Sequence, residues 1–331
     1  MSTMKHRFGP GIVGVLLLAC AVGVSAQDKP KSAPAAPAAA SQKTFDSPKA
    51  AADALIAAAA SDDIAALKAI LGPEGNSLVE TSDAVQTKNQ LEAFAAQARK
   101  DTAVVLDAKN PDRATLSVGD DDWPMPIPIV RKNGRWLFDS KAGKRELLYR
   151  RIGRNELDAI EVCYEFVDAQ HEYALEKHDG SSLNQYAQKI ISTTGKQDGL
   201  AWRNSDGTVG GPLSETVADA IAEGYSKKSE PLHGYYFKVL KGQGPAAPLG
   251  KLDFVVKGVM IGGFALAAAP SDYRVTGVMT FIVSHDGIVY QKDLGPQTLE
   301  LFQKMDRYNP DKTWTPAEEQ ASPETPKKAG T

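Results

Sequence analysis

Cysteine is nearly absent from the chain: among 331 residues there are two, Cys20 and Cys163. A disulfide scaffold and a paired-cysteine metal site are therefore excluded. Histidine is scarce too, with five, and none falls between residues 44 and 140. No two histidines stand at the spacing of a helical or short-strand metal pair, and no nucleophile elbow or phosphate loop occurs. Charge of one sign is not in excess, since 38 Lys and Arg face 41 Asp and Glu for a net charge of -3. That balance argues against nucleic acid or an anionic membrane as partner. Beyond the first residues no apolar run is long enough to span a bilayer. No metal and no cofactor is expected from these residues.

What is present begins with an export signal. Lys5, His6 and Arg7 form a basic start, residues 11–24 are apolar, and Val24-Ser25-Ala26 supplies small residues for cleavage after Ala26. The rival reading takes Leu17-Leu18-Ala19-Cys20 as a lipoprotein signal with an acyl anchor on Cys20. Cleavage after Ala26 is preferred because the apolar run continues past Cys20. In either case the expected location is the periplasm or outside the cell. Residues 27–43, rich in Ala, Pro, Lys and Ser, read as a disordered tether, and residues 316–331 as a disordered tail.

The segment organising the rest is residues 154–177. Asp158, Glu161, Glu165, Asp168, Glu172 and Glu176 recur every three or four residues as an acidic stripe. Leu157, Ile160, Cys163, Tyr164, Phe166, Val167, Tyr173 and Ala174 fill the other face. Asn155 is expected to cap this helix and His178-Asp179-Gly180 to end it. The acidic stripe reads either as a solvated face, the preferred reading, or as a docking ridge for a basic partner. Cys163, on the apolar side, is expected to be buried and inert.

Upstream, Ser47 and Pro48 open a helix through Leu55, with a second through Leu67 and a third near residues 89–99. Strands follow at 102–108, 113–119, 123–131 and 134–140, the last two joined by an Asn133-Gly134 turn. In the third of these, Pro124, Pro126 and Pro128 remove the amides along one side, so an edge strand, or a strand paired only through its other side, is expected, with Trp123, Met125, Ile127 and Ile129 in the core. Asp120, Asp121 and Asp122 are candidate ligands for a hard cation, or simply a solvated turn, which is preferred. Downstream, residues 141–153 read as a short helix, 183–190 as a helix, 199–202 as a loose stretch and 212–225 as a helix. Strands then dominate from Tyr235 to Asp293. His233 and His285 border strands and with Asp286 form a candidate acid/base set, against the preferred reading of turn residues at sheet ends.

The helices followed by WPMPIPIVRKNGRWLFDS resemble the cystatin-like cone of the nuclear-transport-factor-like superfamily over residues 44–140. AIEVCYEFVDAQHEYA, GYYFKVL and FALAAAPSDYRVTGVMTFIVSHDGIVY resemble the globular part of type IV pilins and pseudopilins. Gly234, Tyr235, Phe237, Ala268 and Pro270 match their recurring strand ends, while charged KRELLYRRIGR stands where pilins are hydrophobic. Taken whole, DDWPMPIPIVR, RRIGRNELDAI, HGYYFKVL and MIGGFALAAAP resemble a bacterial envelope family, the domain of unknown function numbered twenty-nine fifty. The resemblances imply an α+β fold in two parts, residues 44–140 and 141–315, the second crossed by a helix through Ile160, Cys163, Val167 and Ala174. The expected function is that of a non-catalytic envelope protein that assembles with or binds an envelope protein partner. The alternative is an exported hydrolase or small-ligand binder with a pocket in the N-terminal cone.

Overall fold

Ser47 and Pro48 open the first helix as expected. Ser47 Oγ accepts from Ala50 N at 3.1 Å at the head of helix α1 (Pro48–Ala60), and Ala51, Leu55, Ala58 and Ala59 are buried. The computed structural model of the chain describes residues 41–79, 84–213 and 234–317. The expected signal, most of the expected tether, all but the first two residues of the helix expected at 212–225, His233 and most of the expected tail lie outside the described residues. Gln42 already belongs to the fold, its side-chain amide donating to Ile70 O at 2.9 Å and Phe138 O at 2.7 Å.

Helix α2 (Ile64–Leu71) is capped by Asp63, and α3 (Asn76–Val79) and α4 (Ala84–Lys100) follow. Strands β1 (Thr102–Asp107), β2 (Asn110–Val118), β3 (Trp123–Pro124), β4 (Ile129–Lys132) and β5 (Arg135–Phe138) form an antiparallel sheet in the order β1-β2-β4-β5, with β3 also on β2. Asn133 and Gly134 both take positive φ in the β4–β5 turn, as their sequence requires. Helices α1, α2 and α4 close an apolar core over this sheet around Leu55, Leu67, Leu116, Ile129 and Phe138.

The proline segment is not one edge strand. Its ladder breaks between β3 and β4, and β4 then lies inside the sheet, between β2 and β5. Prolines without amides cannot continue the ladder. The carbonyls of Pro124 and Pro128 instead receive Arg150 and the Asp139 amide, both at 2.9 Å. Trp123 is 48% exposed rather than core, with the Arg150 guanidinium 5.4 Å from its ring.

The long helix is also longer than expected. It is a single element, α5 (Ser140–Tyr173), with Asp139 Oδ1 accepting from Ala142 N at 3.1 Å as its cap. Gly153 stays helical within it: a mid-helix glycine costs only about 1 kcal/mol, and packing on both sides offsets that. Neither Asn155 nor the residues at 178–180 delimit the helix.

Beyond it come β6 (Lys189–Ile191), β7 (Gly199–Arg203) and β8 (Val209–Gly210), so the segment read as a helix at 183–190 is irregular chain that runs into a short strand, and the loose stretch at 199–202 is a strand. Strand β9 (Tyr235–Leu240) and two small ladders, β10 (Gly242–Gln243) with β11 (Leu252–Asp253) and β12 (Val255–Val256) with β13 (Val259–Met260), lead to β14 (Ala265–Pro270) and β15 (Met279–Ser284). After β16 (Tyr290–Asp293), helix α6 (Thr298–Lys304) and β17 (Thr315–Pro316), an antiparallel sheet of order β17-β16-β15-β14-β9 is complete. Every residue of β14, sequence ALAAAP, is buried, because alanine lets neighbouring layers approach closely. A second apolar core joins this sheet to α5 through Cys163, Phe166, Val167, Phe264 and Phe281. Ile160 and Ala174, expected at the crossing, are only half-buried, and Leu157 is 43% exposed. The protein is α+β, with α5 built into this second core and tied at its start to the first through Ser140 on Leu71 and Gly143 against Ile127.

Candidate functional site: the outer face of the long helix

Several contacts fix α5 in place, and they are its least legible feature in sequence. Near its start Ser140 Oγ donates to Leu71 O at 2.7 Å. Gly143 lies so close to Ile127 that a Cβ would meet it at 2.7 Å. Half-way along, Asn155 Nδ2 donates to Thr276 O at 2.8 Å, and Glu156 Oε1 accepts from Val278 N at 2.8 Å and Met279 N at 3.0 Å. Read as cap and first turn, these two residues instead hold the chain entering β15. Near the end, the buried Gln170 amide exchanges two 2.8 Å hydrogen bonds with the Ala187 backbone, as a strand would. No signal within the helix announces these partners, which lie 16 to 123 residues away along the chain.

Seated this way, α5 turns its charged face to solvent. Arg154, Glu161, Asp168 and Glu172 are exposed, while Asp158 and Glu165 are half-buried. Burial, and then the neighbouring Glu161, hold the Glu165 carboxyl above the ordinary range. Like charges therefore crowd one another along a rigid ridge from Asp158 to Glu172, about 21 Å at 1.5 Å per residue.

On the inner side Cys163 is fully buried, and burial pushes its thiol up to about 12 from 9.0. A protonated, enclosed thiol is a poor nucleophile. Native protein is accordingly expected to resist a thiol reagent at pH 7 for hours, with denatured protein labelled at once. Rapid labelling of folded protein would contradict this. Because the raised value belongs to the folded state, the stability linked to this group is intact below about pH 9 and is lost as pH rises towards 12.

The other candidate residues are dispersed. Asp120, Asp121 and Asp122 are exposed in the β2–β3 turn, where Asp120 pairs with Lys100 at 3.6 Å. His285 Nδ1 lies 3.0 Å from Ser284 Oγ, and Asp286 Oδ1 accepts from Ile288 N at 3.2 Å within the β15–β16 turn. Their proposed third member, His233, lies outside the described residues. His178 is stacked on Tyr173 at 3.8 Å, with Nε2 at 2.9 Å from the Tyr173 carbonyl. Among the described residues no group of three His, Cys, Asp or Glu is placed to hold a metal ion.

Three clefts adjoin β6, a place the sequence did not mark. One of about 430 Å³ is lined by Ile190, Ile191, Val239, Lys238 and Lys241. A second, of about 330 Å³, is more polar and holds Tyr173, Tyr186, Lys189 and Asp198, and a third of about 210 Å³ holds Thr193, Trp202 and Arg203. Lys189 Nζ donates to Asp198 Oδ2 at 2.7 Å and Thr193 Oγ1 at 2.6 Å. Burial works to raise the Asp198 carboxyl, but hydrogen bonds from Lys189 and Thr193 outweigh it and leave it at about 2. The pair locks the 192–198 loop.

Fold and ridge together define a mixed α+β protein in which one long helix, built into the second core and tied at its start to the first, presents an acidic outer face. The chain belongs to the family described as Protein of unknown function (DUF2950), whose sequence profile matches residues 42–317. No curated protein and no solved structure matches it. No helix among the described residues is long and apolar enough to cross a membrane.

Proposed function

We propose that the protein is an exported component of the bacterial cell envelope that acts by binding a basic protein partner along the acidic face of α5. The observation that carries this reading is the crowding of Glu161 and Glu165 on a helix whose opposite face is locked into a core. A partner bringing lysine or arginine relieves that repulsion, and a rigid ridge loses little entropy on binding. Pull-down from an envelope extract tests it. Native protein should retain a basic partner at low salt. The variant Glu161→Gln/Glu165→Gln/Asp168→Asn/Glu172→Gln, folded to the same melting temperature, should lose it. Equal retention by both, or by neither, overturns the proposal.

Export rests on the basic start and the apolar run of residues 11–24. The exported form should begin at Gln27 by intact mass, and a diacylated Cys20 would refute cleavage after Ala26. The long helix lying on an antiparallel sheet supports a pilin-like reading of the C-terminal part, as helices over a sheet support a cystatin-like reading of residues 44–140. A second reading, small-ligand binding, is favoured by the clefts at β6. A melting-temperature screen against small anions, repeated with Lys189→Ala, separates it from the first.

A further inference from the structure

Two sheet edges border one cleft. Strand β6 is the last of the ladder β6-β7-β8 and β9 the last of the five-stranded sheet, and the two do not pair with each other. The cleft of about 430 Å³ between them is lined by Lys189, Ile190 and Ile191 from one side and by Lys238, Val239 and Lys241 from the other. Three of these residues are lysines, and no carboxylate is among them. Their charges are unequally compensated. Lys189 is paired with Asp198 at 2.7 Å. Lys238 donates to a neutral group, the Gln303 carbonyl at 2.9 Å, and the exposed Lys241 side chain has no hydrogen-bond or ion-pair partner among the described residues. Two ammonium charges thus remain beside an apolar floor, on which Ile191 is 39% exposed.

We propose that this cleft binds a single-chain amphiphile with an anionic head, its chain laid on Ile190, Ile191 and Val239 and its head between Lys238 and Lys241. The inference rests on the small-ligand reading of the β6 clefts and specifies the ligand. Each half of the ligand answers one half of the lining. A small anion would leave the apolar floor in water, and a cationic amphiphile would set its head against lysines. The volume falls within the roughly 300–1,000 Å³ of small-molecule sites, which are mostly apolar with a few placed polar groups. Both walls are fixed before a ligand arrives. On the β6 side Gln188 Nε2 donates to Gly258 O at 2.7 Å and Lys189 is held by Asp198, while β9 is laddered to β14 along its length. Little ordering is therefore lost on binding.

Calorimetric titration of the full chain with decanoate, kept below its micelle concentration, should show one saturable site. Acetate, which has the head alone, and decylamine, which has the chain with a cation, should each bind about tenfold more weakly or worse. Decyl phosphate should bind as decanoate does. Lys238→Met/Lys241→Met keeps the stems and removes both charges, and should weaken decanoate by about tenfold or more. Ile191→Asp, at an exposed position, should abolish binding while melting as the native chain does. The ridge variant with Glu161, Glu165, Asp168 and Glu172 neutralised should bind decanoate undiminished. Decylamine binding as tightly as decanoate, or decanoate binding unchanged in the lysine variant or in Ile191→Asp, would overturn the proposal. So would the absence of decanoate binding. In that last case a melting temperature raised by acetate or phosphate, and no longer raised in Lys189→Ala, would leave the small-ligand reading standing, whereas no response to any of these ligands would overturn both.

Discussion

Replacing Val167 with Asp is expected to destabilise the chain by about 3–5 kcal/mol, while Asp168→Asn, one position further on, changes stability by no more than about 0.5 kcal/mol. Val167 is 6% exposed and packs in the core formed by α5 and the antiparallel sheet, beside Cys163 and Phe166. An aspartate there has no water and no partner, so the fold must either bury a charge or open the core. Asp168 points to solvent on the ridge and loses only a charge already surrounded by others of its sign. Since native proteins are stable by only about 5–15 kcal/mol, the first substitution removes a large share of the margin. Urea melts of the two variants decide it. Similar midpoints would mean that the inner face of α5 is not seated on the sheet.

That contrast depends on a periodicity that is visible in the sequence. The acidic stripe and the buried positions Cys163, Phe166, Val167 and Tyr173 follow from 3.6 residues per turn, because both faces are set locally. The helices at Ser47 and Leu67, the Asn133-Gly134 turn and the strand-rich run from Tyr235 onwards are legible because their signals are local too. Misreadings occur where a distant group overrides a local preference. The stretch at 183–190 has helical spacing, but Gln170 takes both backbone groups of Ala187 and holds it as irregular chain just ahead of β6. Asn155 has the character of a cap, yet its amide serves Thr276. The prolines at 124–128 imply an edge, yet the sheet accommodates them as a gap and resumes at Ile129. At the candidate sites, Asp120 to Asp122 and Asp286 are turn residues, whereas the two larger clefts at β6 arise from chain segments far apart in sequence, which no local motif encodes.

The continuity of α5 gives the ridge its mechanical meaning. A helix broken at Gly153 would leave the acidic half free to move against the N-terminal core, and a partner would have to immobilise it on binding. An unbroken helix, fastened at Ser140 to Leu71 and at Asn155 and Glu156 to the β15 entry, presents its carboxylates in a fixed line. Binding energy then goes into contacts rather than ordering. The glycine that suggested a break is instead a point with no neighbour within 4 Å of a would-be Cβ, so Gly153→Ala should be tolerated and favour the helix.

Glu156 is the residue on which that fastening turns. Its Oε1 accepts from two successive backbone amides, Val278 N and Met279 N, just where β15 begins, and the Tyr235 hydroxyl donates to the Met279 carbonyl at 2.8 Å beside them. Burial, then the nearby Glu156 charge, push the Tyr235 phenol upward, so the hydroxyl remains a donor. Glu156→Ala leaves two part-buried amides without an acceptor, at about 1–3 kcal/mol each, and a loss of about 3 kcal/mol is expected. Glu156→Gln keeps an acceptor oxygen but gives up the charge-assisted component, so a loss of about 1 kcal/mol is expected. Glu161→Ala, on the exposed ridge five residues away, should stay within about 0.5 kcal/mol. Hydrogen exchange provides the readout that a general weakening would not. In Glu156→Ala the amides of Val278 and Met279 should exchange at least tenfold faster, while those of β14 shift only with global stability. If Val278 and Met279 remain as protected as in the native chain, or if Glu156→Ala and Glu161→Ala melt alike, the helix is not tied to the sheet at this point.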